Sequence, residues 1–392
     1  MDPSSIDPGR VVGAIGAGSG LLAILLGRAA AASRSGFIAR LGLALSGVLA
    51  GVGVVCLAGL SFVTHRGHYF FFRDGIRVAD PFERANGFRR YSPNQRLRSL
   101  RTLDDREGGE KVFDVTYTID AFGNRATPAA PGQPAVLFMG CSFTFGNGLD
   151  DADTLPWRFA EATHGRLDVV NAAISGAGAH QMLRMLELGL EDARLADGVS
   201  RIFYAAIPDH VRRAAIGLPD TWGPHYEIDA SDGRLLLEEP EAPWGALLGR
   251  AARRVLGEDW AYPGQRRTLG PNDDERWARI VARMAGIARE RWQAPFTALL
   301  WDGNASSTPG PGRSPRVQRL ATLLQSHGVE AVTVESLISR DAIRRIPVDG
   351  HPAASTNGAL ASALARRFFP EFSCGPGRDL SCGQTPRSNR SP

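Results

Sequence analysis

The residues of this 392-residue chain whose types and spacing could do chemistry lie in three short, widely separated motifs. Gly140-Cys141-Ser142 offers a serine as a nucleophile, and the stretch Asn171–Gly176 ends in a glycine whose backbone N–H could serve as a donor. Asp349-Gly350-His351 supplies a base and, two residues before it, a carboxylate that could orient that base. These are the parts that acyl transfer through a serine requires.

The elements that must position these motifs are strands of a parallel sheet. The apolar run 135–139 predicts a buried strand that ends just before Ser142, and 167–171 predicts a strand before the second motif. Strands and helices alternate along the rest of the chain, which predicts a sheet covered by helices on both faces. Such sheets place their ligands at the carboxyl ends of the strands, where all three motifs would meet.

The remaining elements follow from apolar periodicity. We expect strands at 201–207, 296–301 and 331–334, and helices near 155–163, 180–195, 274–292, 316–327 and 356–368. The rhythm breaks at about 218–270, where Tyr226–Asp229 and Arg234–Leu237 flank a hairpin turn and a basic helix is expected near 244–255. We interpret this stretch as an insertion over the edge of the active site.

The order and strand context of the three motifs resemble those of the SGNH/GDSL hydrolases, over roughly 113–370. The resemblance implies a three-layer α/β/α sandwich with a mostly parallel sheet and no cofactor. It also implies Ser142 as nucleophile, the N–H groups of Ser142 and Gly176 as oxyanion donors, His351 as general base and Asp349 as the residue that orients it.

The chain departs from that family in two places. The family's third motif contains an Asn whose side chain completes the oxyanion hole, whereas here Asp209 stands at or beside that position and cannot donate when ionised. His210 could replace the donor, contact the substrate or be a surface histidine. Arg212 and Arg213 could bind an anionic sugar, although a charged pair after a strand is usually solvated. Losing a donor typically lowers the rate ~10²–10³-fold. The acid and base also stand one residue closer than in most members, which resembles relatives that handle O-acetyl groups on bacterial polysaccharides.

Two apolar segments near the N-terminus predict a transmembrane helical hairpin within residues 1–66. The first spans about 11–27, and the second, 41–63, has no charged residue and is long enough for a bilayer core of ~30 Å. Arg28, Arg34 and Arg40 crowd the connection, so we expect that connection in the cytoplasm and the main domain in the periplasm, tethered to a bacterial inner membrane.

The rest of the chain is expected to divide into three parts. Residues 67–130 would form a connector with an interfacial aromatic stretch at Tyr69–Phe72, a polar linker at Pro81–Asp105 and one leading strand at Val112–Asp120. Residues 131–372 would form the catalytic domain. A flexible tail, 373–392, would follow, where Cys374 and Cys382 either form a disulfide or remain two free thiols.

Composition narrows the function. The net charge of +4 comes almost wholly from arginine and no basic block is interleaved with aromatics, so we expect no nucleic-acid partner. No cysteine has neighbours that would indicate a metal site. The leading hypothesis is a membrane-tethered serine esterase or O-acyltransferase that acts on acyl esters of envelope or extracellular glycans or lipids, with acetyl as the expected acyl group. The competing hypothesis is an inactive SGNH-like module that binds glycan or a partner.

Overall fold

Thirteen strands appear in the part of the chain that this computed structural model describes, namely residues 19, 21–26, 28, 36–63, 69–78, 81–85, 88–103, 108–216, 224–238, 268–303 and 314–372. Their bounds are β1 Phe70–Arg73, β2 Ile76–Val78, β3 Phe82–Ala85, β4 Phe88–Tyr91, β5 Gln95–Thr102, β6 Lys111–Ile119, β7 Ala135–Gly140, β8 Asp168–Asn171, β9 Val199–Ala206, β10 His225–Ile228, β11 Leu235–Glu238, β12 Phe296–Leu300 and β13 Glu330–Thr333. The helix expected near 244–255 and the two C-terminal cysteines lie outside the described residues.

The described helices follow the predicted alternation. They are α1 Gly36–Val63, α2 Ser142–Phe145, α3 Leu155–Ala162, α4 Ala179–Glu187, α5 Asp209–Ile216, α6 Pro271–Trp292, α7 Pro315–Ser326, α8 Val334–Leu337 and α9 Ala354–Phe368. Helix α3 begins where the sequence indicates, because the side chain of Thr154 accepts a hydrogen bond from the backbone N–H of Trp157 at 3.3 Å. Helix α4 is shorter than expected, since Gly189 follows it with φ of 64°.

Five strands form a parallel sheet in the order β13-β12-β9-β7-β8. Every residue of β7 is buried, as expected for a strand that is covered on both faces. Its side chains alternate, so Leu137 and Met139 pack with α4, α6 and α7, while Val136 and Phe138 pack with α3 and α9. The predicted α/β fold with a mostly parallel sheet is therefore confirmed.

The stretch expected to be a connector is folded instead. Strands β2-β1-β5-β6 form an antiparallel sheet and β3-β4 form a hairpin. The aromatic stretch expected at a membrane interface belongs to β1, where Phe70 and Phe72 are buried with Leu100 of β5. Strand β5 carries arginines at exposed positions between buried residues. Its composition therefore resembles a polar linker, but the alternation of buried and exposed residues is that of a half-buried strand.

The antiparallel sheet and the β3-β4 hairpin pack against α2 and against the loop that follows β8. Phe145, three residues after the candidate nucleophile, stacks on Tyr91 at 4.6 Å between ring centroids and meets the ring of Tyr117 edge to face at 5.2 Å. Ala173 belongs to the same buried cluster. Residues well before the catalytic motifs in sequence therefore form one wall of the site.

The chain divides into two units, one of Met1–His68 with Pro240–Thr268 and one of Tyr69–Glu239 with Leu269–Pro392. The first contains α1 and a contact between the two apolar segments, in which the hydroxyl of Ser46 donates to the carbonyl oxygen of Ala23 at 2.7 Å. Within the described residues, no helix combines the length and the apolar character that crossing a membrane requires. A membrane-spanning role for these segments stays a prediction.

Candidate active site

Ser142 is presented by a sharp turn at the carboxyl end of β7. Gly140 has φ of 152°, and a Cβ there would lie 2.7 Å from Thr144 Oγ1 and 2.8 Å from the carbonyl oxygen of Ala205. Only glycine fits this close approach, which brings the chain into α2 with Ser142 as its first residue. The serine is 8% exposed.

The structure brings Ser142, His351 and Asp349 into one hydrogen-bonded line. Nδ1 of His351 bonds Oδ1 of Asp349, and Nε2 lies 2.8 Å from Oγ of Ser142. An ionised carboxylate only accepts, so the ring carries its proton on Nδ1 and the serine hydroxyl donates to the lone pair of Nε2. That is the tautomer that a general base needs.

The loop that carries the acid and base is itself held in place. The backbone N–H of Ile346 donates to the carbonyl oxygen of His351 at 2.8 Å, and Arg345 forms an isolated antiparallel bridge with Pro352. Phe143, next to the nucleophile, presents its ring edge to face to the imidazole at 5.5 Å. The imidazole is therefore fixed by its backbone as well as by its two hydrogen bonds.

Asp349 has two further partners that the sequence analysis did not identify. The hydroxyl of Tyr69 donates to its Oδ2 at 2.8 Å, and the guanidinium of Arg101 donates to the same oxygen. Burial raises the pKa of this carboxyl, but hydrogen bonds from His351, Tyr69 and Arg101 outweigh burial and bring the pKa down to about 2. The acid of the triad is thus ionised across the physiological range.

Within the described residues, neither of the two predicted backbone donors has another hydrogen-bond partner. Ser142 opens α2, so its N–H is one of those that a helix leaves without an intrahelical acceptor. In the described part of the chain the N–H of Gly176 donates to no other group. Gly176 adopts φ of 81°, which favours glycine. Both N–H groups are available for a developing oxyanion.

Side chains from β4, from α5 and from the turn after α2 hold the loop 175–178, which we call the oxyanion loop. Arg89 of β4 donates to the carbonyl oxygen of Ser175 at 3.0 Å, and Arg213 of α5 donates to that of Ala177 at 2.8 Å. Asn147 donates its side-chain amide to Oγ of Ser175 at 2.9 Å. Arg213, which the sequence suggested to be solvated, is therefore a structural contact of the site.

The position of the missing Asn holds a carboxylate, and a donor role for its neighbour His210 stays a prediction. Asp209 begins α5 and its carboxylate accepts from Arg213 Nε at 2.8 Å, one turn along the helix. His210 is wholly buried, so it is not a surface histidine, and its Nδ1 lies 2.6 Å from the hydroxyl of Tyr204. Burial holds the pKa of His210 well below its ordinary value, so its ring is neutral. Among the described residues, its other ring nitrogen, Nε2, is buried and has no hydrogen-bond partner.

One group of side chains in the described residues has the composition of a metal site. His225, Glu227 and Glu238 bring ligand atoms within 4.8 Å of one another on the β10-β11 hairpin. These groups already satisfy each other, because His225 Nε2 lies 2.8 Å from Glu227 and Arg276 pairs with the other oxygen of Glu227 at 2.5 Å. We therefore interpret these three side chains and Arg276 as a cluster of ion pairs.

Arg101, Tyr69, Arg89 and Asn147 are the residues of the site that sequence reasoning missed. They lie 248, 280, 86 and 28 residues away from the groups they contact. The one local signal was the alternation of buried and exposed residues in β5, which indicates a strand but says nothing about its partner.

No protein-family model and no curated protein matches the chain. Solved structures similar to it include a member of the lipolytic protein G-D-S-L family from Veillonella parvula, which is 10% identical, with 59% of this chain and 96% of that chain covered and a TM-score of 0.35. A carbohydrate acetylesterase family member from Sinorhizobium meliloti is 15% identical, with 60% and 99% covered and a TM-score of 0.32. A psychrotrophic esterase from a Pseudoalteromonas species is 12% identical, with 59% and 94% covered and a TM-score of 0.32. The neighbour from Veillonella parvula is described as a member of the G-D-S-L family, which is the family that the motifs of this chain resemble, and the other two are described as an acetylesterase and an esterase.

Proposed function

We propose that this chain is a serine esterase in which Ser142 attacks the carbonyl carbon of an acyl ester. The observation that carries the proposal is the line of hydrogen bonds from Ser142 through His351 to Asp349, with 2.8 Å between Oγ and Nε2. A serine hydroxyl is a poor nucleophile alone. An imidazole whose proton sits on the far nitrogen removes the hydroxyl proton as the new bond to carbon forms.

In the first half of the reaction, His351 takes the proton of Ser142 while Oγ bonds to the carbonyl carbon. The carbonyl oxygen becomes an oxyanion that the N–H groups of Ser142 and Gly176 stabilise. Asp349 stabilises the imidazolium without taking its proton. The bond to the alcohol oxygen then breaks, the alcohol leaves with the proton from Nε2, and the acyl group remains on Ser142.

In the second half, an acceptor hydroxyl attacks the carbonyl carbon of the acyl-serine and gives its proton to Nε2 of His351. The bond between that carbon and Oγ of Ser142 then breaks, and Oγ takes the proton back from Nε2, which restores the free serine and the neutral base. When the acceptor is water, the product is a carboxylic acid and the chain is a hydrolase. When the acceptor is a sugar hydroxyl, the acyl group is transferred. The triad chemistry is the same for both acceptors, and we propose hydrolysis as the basal activity.

We further propose that the substrate is an acetyl ester of an envelope or extracellular glycan and that the protein is tethered to the bacterial inner membrane with its catalytic unit in the periplasm. Three features support this: the close spacing of Asp349 and His351, the uncharged segment 41–63, and the arginines at 28, 34 and 40. The competing hypothesis of an inactive binding module rests on the missing Asn. The assembled triad favours the esterase hypothesis, because binding alone does not require a serine that is hydrogen-bonded to an oriented base.

A fluorophosphonate probe tests the activity directly, since it reacts with an activated serine beside an oxyanion hole. The purified full chain should be labelled at Ser142 and should hydrolyse p-nitrophenyl acetate, and Ser142→Ala and His351→Ala should lose both properties. Ser326→Ala, at the exposed end of α7, is the matched control and should behave as wild type. A folded wild-type chain that is neither labelled nor active would overturn the proposal.

A further inference from the structure

The two N-terminal β-elements contact both halves of the candidate active site. From the antiparallel sheet, Tyr69 and Arg101 contact the triad acid. From the β3-β4 hairpin, Arg89 contacts the oxyanion loop. The question for each contact is whether it only holds the fold together or sets the geometry of the reacting groups.

Tyr69 and Arg101 hold one oxygen of Asp349 while His351 holds the other. Phe70 of β1 pairs with Leu100 of β5, so continuing the register places Tyr69 opposite Arg101. The guanidinium carbon of Arg101 also lies 5.4 Å from the centre of the Tyr69 ring. The Asp349 side chain is wholly buried and that of Arg101 is 16% exposed. Without these two donors, Oδ2 would be a buried carboxylate oxygen with no partner, and the carboxylate would be free to turn.

The charge of Arg101 has a second effect on the base. During the reaction His351 becomes an imidazolium, which Asp349 stabilises. A guanidinium on the opposite side of that carboxylate offsets part of this stabilisation. Removing the charge of Arg101 therefore favours the imidazolium, so the unprotonated ring that catalysis needs is reached only at higher pH.

Arg89 acts on the oxyanion side through one peptide group. In a trans peptide the C=O of one residue and the N–H of the next point in opposite directions. A guanidinium that holds the carbonyl of Ser175 thus fixes the direction of the N–H of Gly176, which is the predicted oxyanion donor. The guanidinium carbon of Arg89 lies 4.0 Å from the centre of the Phe82 ring, which keeps the side chain over the hairpin.

We propose that the N-terminal strands complete the catalytic site, with Arg101 and Tyr69 positioning the triad acid and Arg89 positioning the Gly176 donor. This inference rests on the proposed esterase function. Each residue acts through another group, so each is a positioning residue. The consequence is that the strands between 69 and 103 belong to the enzyme and do not merely link it to the segment before them.

The test uses the full chain in detergent and p-nitrophenyl acetate over a range of pH. Arg101→Met should lower kcat/KM roughly 10²-fold, the size of effect that a misplaced reacting group causes, and should move the acid limb of the pH–rate profile upwards by up to about one unit. Arg101→Lys keeps the charge, so its acid limb should stay in place and its rate should be intermediate. Arg89→Met should lower kcat by less than the ~10²–10³-fold of a lost donor, with the acid limb unmoved.

Arg98→Met is the matched control, because Arg98 lies on the same strand, is half exposed and pairs with Asp114 at 2.6 Å. It should leave both the rate and the acid limb unchanged. A merely structural role for Arg101 would lower the melting temperature without moving the limb. Wild-type kcat/KM and an unmoved limb in Arg101→Met would overturn the proposal.

A readout that needs no turnover separates this inference from the esterase proposal. The Nδ1–H of His351 should give a low-field proton resonance that disappears in His351→Ala. That resonance should broaden or shift in Arg101→Met and Tyr69→Phe and stay in place in Arg98→Met. If the wild type proves inactive but the resonance responds in this way, the esterase function fails and the positioning stands. A resonance indifferent to Arg101 and Tyr69 refutes the positioning.

Discussion

Replacing Asp349 by asparagine should remove nearly all activity, because Arg101 and Tyr69 determine the orientation of the new side-chain amide. Arg101 and Tyr69 both donate to the Oδ2 position. The amide oxygen is therefore drawn to that side, and the amide NH₂ turns towards Nδ1 of His351. An NH₂ group can only donate, so Nδ1 must be unprotonated and the ring proton moves to Nε2.

The magnitude follows from the tautomer. A proton on Nε2 faces the Oγ of Ser142, which lies 2.8 Å away, so the ring can no longer accept the serine proton. The same change in the serine-protease triad lowers kcat about 10⁴-fold. That factor corresponds to about 5 kcal/mol of lost transition-state stabilisation. The loss of the carboxylate charge next to Arg101 acts in the same direction, since the imidazolium then meets an uncompensated cation.

The assay is ester hydrolysis by Asp349→Asn and by the double variant Asp349→Asn/Arg101→Met. Without the guanidinium the amide can turn over, because the hydroxyl of Tyr69 can accept from the NH₂ group as well as donate. The amide oxygen then meets Nδ1 and restores the productive tautomer. We expect the double variant to be roughly tenfold more active than Asp349→Asn, although Arg101→Met alone impairs the wild type.

Two results would refute this reasoning. An Asp349→Asn rate within tenfold of wild type would mean that the carboxylate does not set the tautomer. A double variant no faster than Asp349→Asn would mean that Arg101 does not hold the amide. Arg98→Met in the Asp349→Asn background controls for the second substitution, because Arg98 makes its ion pair with Asp114.

Four other predictions follow from single features of the chain. Burial raises the pKa of Glu191 from its ordinary 4.5 to about 7, so the free energy of unfolding falls by about 3 kcal/mol as the pH rises through that range. Glu191→Gln should therefore raise the melting temperature at pH 8 but not at pH 4. Arg125 is buried and donates to one carboxylate and three carbonyl groups. Arg125→Met should therefore lower the free energy of unfolding by about 3–5 kcal/mol in urea titrations. A loss below about 1 kcal/mol would contradict a stabilising role for this side chain. Alkaline phosphatase fused after Leu103 should be active in a bacterial host, and an inactive fusion beside a bright cytoplasmic reporter would contradict the periplasmic topology. Mass spectrometry of unreduced protein should find Cys374 joined to Cys382, whereas two alkylatable thiols would exclude the bond.

Local sequence patterns predicted those helices and strands whose formation depends on residues within the element itself. The continuous apolar run of β7 predicts a strand covered on both faces, and it is buried throughout. Thr154 predicts the start of α3 because a hydroxyl at that place satisfies a free N–H. The expected length of α4 was wrong, since the apolar periodicity continues past Gly189 while the backbone there turns left-handed. The N-terminal strands were missed because arginine lines their exposed face.

The sequence by itself determined which reactive groups the chain carries: a serine after a glycine turn, a glycine donor after the next strand, and an acid and a base near the last helix. These depend on residue type and on neighbours a few positions away. Only the tertiary structure decided that Tyr69 and Arg101 meet the triad acid, that Arg89 and Arg213 hold the oxyanion loop, and that His210 is buried on Tyr204. The physical reason is that such contacts join strands and loops far apart in sequence. Their partners are chosen by how the sheets pack, and an arginine's neighbours in the sequence do not reveal which carboxylate or carbonyl its guanidinium will reach.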